Sequence, residues 1–392
     1  LDALEGGEMR TGTKQMVGLL GTTLAISIAA CASPQVELSD SPGTPFKLAT
    51  FEVNERVLIG LVLDQRILDI AEANEYLASE ANASEVSMPV DMRSLIETYE
   101  IVSPRLYEIA NFFNEYSTDD LDFAFDVSNV YIHAPIKYPW NLLAIAANYK
   151  AHAEGMGVGD TSGATESVDG VSGATESDDG PSIVDSIVPE RDAPAIFAKS
   201  PRSGIIDPGA PYYIPPGRDQ IDWEGELAII IGKPAYLLSP EEVHDHVFGY
   251  SILYDVSDRG GRTREVSMFP GFQWFDGKST NRGAPFGPFI VPKEFLPNFD
   301  NLRVVTRVNG DIKQDQTTAD LIWNEDNLIA FTTSVLELHP GDVIGTGTPS
   351  GTAGEHDPAV YLKDGDVVEI EIEGIGTLVT PIKNYPGDLG TS

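Results

Sequence analysis

This chain is short of cysteine, of positive charge and of long apolar runs, and each shortage excludes something. Its single cysteine, Cys31, rules out an intramolecular disulfide. Lysine and arginine total 25 against 61 aspartates and glutamates, giving a formal charge of −36 and a pI near 4.3. Such a surface repels a phosphate backbone, so nucleic acid is excluded as a partner. The plain reading of the charge is a solvated acidic exterior. The longest apolar run, at residues 16–30, is about 15 residues, too short for a comfortable membrane span. His244 and His246 form an H-x-H pair with no cysteine or third histidine nearby, so they read as structural and not as a zinc site.

What remains is ordinary in bulk. An apolar fraction of 42% and a charged fraction of 22% over 392 residues describe a globular protein able to bury a sizeable core. Met9 offers a second start, which would make residues 1–8 upstream sequence. From it run a short basic segment, the apolar stretch and Ile28-Ala29-Ala30-Cys31. That order describes a secretory signal peptide, and the last four residues resemble a bacterial lipobox. The expectation is a leader over 1–31, a lipid anchor on Cys31 and a Ser/Pro/Asp-rich tether over 32–45. With Ala32 after the cysteine, the protein would be exported to the bacterial cell envelope, on the periplasmic face of the outer membrane. Without use of the signal it would be cytoplasmic.

Residues 46–137 read as a small α+β domain. Short alternating strands are predicted at 46–52, 56–63 and 66–70, with a hairpin turn at Asp64-Gln65. Helical spacing covers 71–81 and 91–113. A second unit, 138–386, begins with a buried strand at 142–147 that leads into Asn148-Tyr149-Lys150-Ala151-His152-Ala153-Glu154-Gly155. Polar clusters after apolar strands are frequent sites. A near-repeat, 161–170 and 171–180, cannot bury enough apolar surface to order itself. The segment 155–192 therefore reads as an acidic lid insertion.

The stretch from Asp222 to Gly232 carries the chemistry. Read as one strand, it puts Trp223, Leu227, Ile229 and Ile231 on one face and Asp222, Glu224 and Glu226 on the other, successive acids about 7 Å apart. Carboxylates on one face repel each other and resist burial. A cation removes both penalties, and oxygen-only ligands suit Mg²⁺, Mn²⁺ or Ca²⁺. The competing reading is a solvated acidic face at a sheet edge. A further carboxylate, Asp255, lies on an otherwise apolar strand at 249–257, with Arg259 four residues on. It fits either a metal ligand or a buried ion pair. Lys278 follows a Gly turn. The loop at 343–351 offers backbone N–H groups and hydroxyls to an anion but lacks the lysine and spacing of a Walker loop. A strand at 367–373, with Val368, Ile370 and Ile372 opposite Glu369, Glu371 and Glu373, reads as half of a half-solvated terminal hairpin.

Six motifs taken together resemble the fumarylacetoacetate hydrolase family, from residue 141 to 384 and more weakly from Phe46. They are Asn-Tyr-x-x-His at 148–152, Asp-Trp-Glu-Gly-Glu-Leu at 222–227, Tyr-Asp-Val-Ser-Asp-Arg at 254–259 and Trp-Phe-Asp-Gly-Lys-Ser at 274–279. Val-Asn-Gly at 308–310 and Pro-Gly-Asp-Val-Ile-Gly-Thr-Gly-Thr-Pro-Ser-Gly at 340–351 complete the set. The resemblance implies a predominantly β, α+β fold, a mixed β-sandwich roll with a small N-terminal α+β domain, usually as a homodimer. It implies metal ligands Glu224, Glu226 and Asp255, normally for Mg²⁺, and an active-site lysine, Lys278. Arg259, Tyr149 and Thr348 would contact substrate, and His152 would activate water. The family's partner glutamate lies three residues after this histidine. Here that place is Gly155, and Glu154, one place early, is the candidate replacement. The implied activity is metal-dependent C–C hydrolysis of 1,3-dioxo or 2-oxo acids, acylpyruvate-like or from aromatic catabolism. A decarboxylase, isomerase or hydratase of 2-oxo acids, or a non-catalytic oxo-acid-binding lipoprotein, are the alternatives.

Overall fold

Two tight turns start the chain's first sheet. Asn54 and Glu55 adopt left-handed backbone, as does Asp64, and left-handed residues let two-residue connections match the twist of the strands they join. They link Lys47–Val53 to Arg56–Leu63 and then to Arg66–Asp69. The computed structural model describes residues 38–81, 83–156, 183–260 and 273–387. The expected leader, Cys31, the acidic near-repeat and most of 155–192 lie outside these residues. No helix among the described residues is long and apolar enough to cross a membrane.

The architecture is strand-rich α+β, as the motifs implied, and its sheets are open rather than closed barrels. The first sheet orders Ala124–Asp126, Arg66–Asp69, Arg56–Leu63, Lys47–Val53 and Tyr131–His133. Helices Ile70–Glu80, Met92–Glu97 and Tyr99–Glu115 accompany it. The sequence reading of one helix over 91–113 is corrected to two. Thr98 leaves helical geometry, with its hydroxyl donating to Ser94 O, and Pro104 deprives the next helix of one N–H donor.

A six-stranded sheet is central: Val291–Pro292, Val247–Tyr254, Gly225–Ile231, Val343–Gly345, Leu142–Ala146 and Ala195–Ala198. A second five-stranded sheet runs Asp311–Thr317, Arg303–Val308, Val367–Ile372, Gly376–Asn384 and Tyr212–Ile214. Its first hairpin turns at Asn309-Gly310, both with positive φ, the pairing that a two-residue turn favours.

The acidic stretch is interior. Strand Gly225–Ile231 lies between two partners, and all seven of its residues are buried. On one face Leu227, Ile229 and Ile231 pack with Val304, Val368 and Ile370 of the second five-stranded sheet. On the other, Ala228 and Ile230 join a core with Leu48, Leu61, Leu106 and Ile109 from the N-terminal part. The stretch also breaks in two: Ile221–Asp222 pairs with Ser257–Asp258, and Trp223-Glu224 bridges to the next strand. The terminal hairpin is formed as read, with Val368, Ile370 and Ile372 buried.

Candidate metal centre

Antiparallel register brings the acids together. Gly225 pairs with Tyr254 and Glu226 with Leu253, so Glu224 and Asp255 sit side by side just past the ends of their strands. The Asp255 N–H donates to Glu224 O at 3.0 Å. One oxygen from each of Glu224, Glu226 and Asp255 lies within 4.8 Å of the others, and all three residues are buried. Among the described residues this is the only such cluster of three or more potential ligands.

Cations surround it. The Lys278 ammonium, at the end of helix Trp274–Lys278, donates to Glu224 Oε2 (2.7 Å), Asp255 Oδ2 (2.6 Å) and Ser257 Oγ (2.7 Å). Ser257 in turn donates to Glu224 Oε1 at 2.6 Å. Arg259 donates to Asp222 Oδ2 at 2.9 Å and also to Glu224 Oε1. Burial alone would raise Glu224, but Lys278 and Arg259 more than offset that and hold its carboxyl far below the usual range. Lys278 shows the converse balance: burial would lower it, and Asp255 with Glu224 raise it.

Glu226 is different. It is fully buried, and neither carboxylate oxygen has a hydrogen-bond partner. Burial, reinforced by the charges of Asp255 and Glu224, pushes it well above the ordinary carboxylate range. A Cβ on Gly345 would come within 2.1 Å of Glu226 Oε2, so only glycine leaves room for this carboxylate. An oxygen-only cluster of three buried acids, one of them without a hydrogen bond, fits a hard divalent cation. Four buried acids (Asp222, Glu224, Glu226, Asp255) thus share three cations (Lys199, Lys278, Arg259), one acid in excess.

His152 is buried on the short helix Lys150–Gly155. Its Nδ1 lies 2.5 Å from Glu355 Oε1. The other Glu355 oxygen accepts from the backbone N–H groups of Gly351 and Thr352, and a capping box with Thr352 fixes the turn. Glu154 is exposed. A Cβ at Gly155 would lie 3.0 Å from Glu355 Oε1. Glu355 therefore fills the space beside Gly155. The Thr-x-x-Glu spacing at 352–355 was the available sequence signal for this turn.

Tyr149 is wholly buried with its hydroxyl unpartnered; burial and then the Glu226 charge raise its phenol far above the ordinary value. Thr348 is tied into the scaffold. Its hydroxyl donates to Gly225 O (3.1 Å) and accepts from Gln314 Nε2 (2.8 Å). Asp222 clamps the turn that bears Glu355, since its Oδ1 accepts from the N–H of Ala353 at 2.6 Å. Sequence reasoning assigned no part in the site to Glu355, Ser257, Gln314 or Lys199.

Comparison with known proteins gives the family. The profile of the fumarylacetoacetate (FAA) hydrolase C-terminal family matches residues 141–383. The chain belongs to this family. It is 31% identical over 338 residues to oxaloacetate tautomerase YisK of Bacillus subtilis, covering 86% of this chain and 99% of that one. It is 30% identical over 353 residues to the mitochondrial oxaloacetate tautomerase fahd2 of Xenopus laevis, covering 89% and 94%. Among solved structures, fumarylacetoacetate hydrolase from Exiguobacterium antarcticum is 29% identical with a TM-score of 0.60, covering 87% of this chain and all of the other. Enzymes of this superfamily include hydrolases, isomerases and tautomerases, and they generally use a divalent metal.

Proposed function

We propose that this family member is a divalent-metal-dependent enzyme of 2-oxo acids whose reaction is keto–enol proton transfer on an oxaloacetate-like dicarboxylate. The observation that carries the reading is the buried triad Glu224, Glu226 and Asp255, with Lys278 and the His152–Glu355 pair beside it. Two curated relatives that align over most of this chain, both named oxaloacetate tautomerases, support the choice of reaction.

Glu224, Glu226 and Asp255 would hold Mg²⁺ or Mn²⁺, which supplies Lewis acidity toward adjacent carbonyl and carboxylate oxygens. His152 would be the base that takes a proton from the carbon between two carbonyl groups, with Glu355 fixing the orientation of its ring. Lys278 offers a fixed positive charge to the oxygen on which negative charge develops. Returning the proton to that oxygen gives the enol. Arg259, anchored by Asp222, is the cation available to a substrate carboxylate.

A second reading is C–C hydrolysis of an acylpyruvate-like acid. One specific feature favours it: the His152–Glu355 pair is also what deprotonation of an attacking water needs, and the matched Exiguobacterium protein is named a hydrolase. One experiment separates the two. Purified protein with Mg²⁺ is given oxaloacetate and a panel of acylpyruvates; enol absorbance is followed and products are identified. Faster keto–enol equilibration without new carboxylic acids supports the tautomerase. Cleavage products establish the hydrolase, and no effect on any substrate overturns both.

A further inference from the structure

The end of strand Ala195–Ala198 delivers a buried lysine that the chemistry above does not use. Lys199 is 3% exposed, and its backbone N–H donates to Leu142 O at 2.9 Å. Its ammonium donates to Asp255 Oδ1, to the backbone oxygen of Lys278, and to Val256 O at 3.3 Å. A lysine ammonium has three N–H donors, and here all three are taken up inside the protein. Two of its three acceptors are main-chain oxygens, whereas all three acceptors of Lys278 are side chains of the acidic site, so Lys199 is tied to the scaffold and not to reacting atoms.

Its acceptors belong to the segments that present the site. Asp255 uses one oxygen for Lys199 and the other for Lys278. We infer that Lys199 is a positioning residue of the metal centre: it fixes the rotation of the Asp255 carboxylate and anchors the main chain from which Lys278 projects. This rests on the metal reading above and adds to it a residue outside the ligand set.

A simple charge argument makes the opposite prediction. A cation beside Asp255 competes with a divalent ion, so removing it should tighten metal uptake. Loss of a group that orients a ligand weakens uptake, typically by about 10–100-fold. The sign of the change therefore distinguishes a positioning residue from a bystander charge.

The test is Mg²⁺ and Mn²⁺ titration calorimetry, without substrate, on the full chain and its Lys199→Met and Lys199→Gln variants. The expected result is uptake weakened about 10–100-fold in Lys199→Met, and less in Lys199→Gln, which keeps a donor without the charge. Melting with and without Mn²⁺ reads the same affinity in a variant of lowered stability. Should Lys199→Met not fold, Lys199→Gln is held to the same criterion against the parent. Unchanged or tighter uptake in a folded variant overturns the inference. No uptake by the parent overturns the metal reading and this inference with it. Metal uptake without turnover on oxo acids overturns the proposed reaction alone, leaving Lys199 to be judged by calorimetry.

Discussion

His152 and Glu355, 203 residues apart in sequence, meet at 2.5 Å. The pairing makes a sharp contrast between two glutamates. Glu355→Gln should lower kcat by about 10–1000-fold, toward the loss of a general base itself, with little change in metal uptake. Glu154→Ala, at an exposed position, should leave kcat/KM within about twofold of the parent, since surface changes of this kind cost little. Steady-state kinetics on oxaloacetate check both. Equal losses would mean that Glu154 reaches the histidine during turnover.

As a proposed metal ligand, Glu226 would contribute to binding at the expense of the fold. Replacing it with leucine removes a buried carboxylate that has no protein partner, so the chelator-treated variant should melt higher than the chelator-treated parent. The gain should be on the order of 1–3 kcal/mol, the usual penalty for an unsatisfied buried polar group. The same variant should lose measurable Mg²⁺ uptake. Calorimetric melting in EDTA and metal titration are the two measurements, and a variant that melts lower in EDTA contradicts the assignment.

Gly345→Ala tests the ligand without altering it. The added methyl would fall 2.1 Å from Glu226 Oε2, and crowding of a packed interior typically costs about 1–3 kcal/mol. The carboxylate must turn away, so metal affinity should fall more than melting temperature does. Retained affinity would show that the Glu226 side chain has a second usable rotamer.

His244 offers a pH test remote from the metal. Its hydrogen bond to Glu325, 3.2 Å long, outweighs burial and raises the imidazole above its usual value. A raised histidine contributes stability that is fully present below the unfolded pKa, near 6.5, and is lost as pH rises through the folded value. NMR titration should show His244 shifted upward, and Glu325→Gln should return it toward the ordinary value. Because the imidazole is largely exposed, the effect on melting should be small.

Much of this was legible in the chain. The alternation of Asp222, Glu224 and Glu226 against Trp223 and Leu227 identified the acidic stretch, and the apolar stripes located the helices of the N-terminal part. What resisted reading depends on tertiary pairing. The burial of both faces of Gly225–Ile231 follows from two sheets and a helical layer that no local pattern describes. Strand Asp311–Thr317 went unread because its residues are mostly polar; only the Asn309-Gly310 turn announced it. Glu355 sits in a Gly-rich loop where nothing nearby demands a catalytic acid, and Lys199 looks like the ordinary end of a strand.

The family profile begins at residue 141, yet the central sheet does not end its obligations there. Ala228, Ile230, Phe248 and Val343 rest against side chains drawn from residues 46–136. A fragment cut to the profile would present that greasy surface to water and invite aggregation. Expression of the half that carries the acidic triad should therefore retain everything from Leu38 onward.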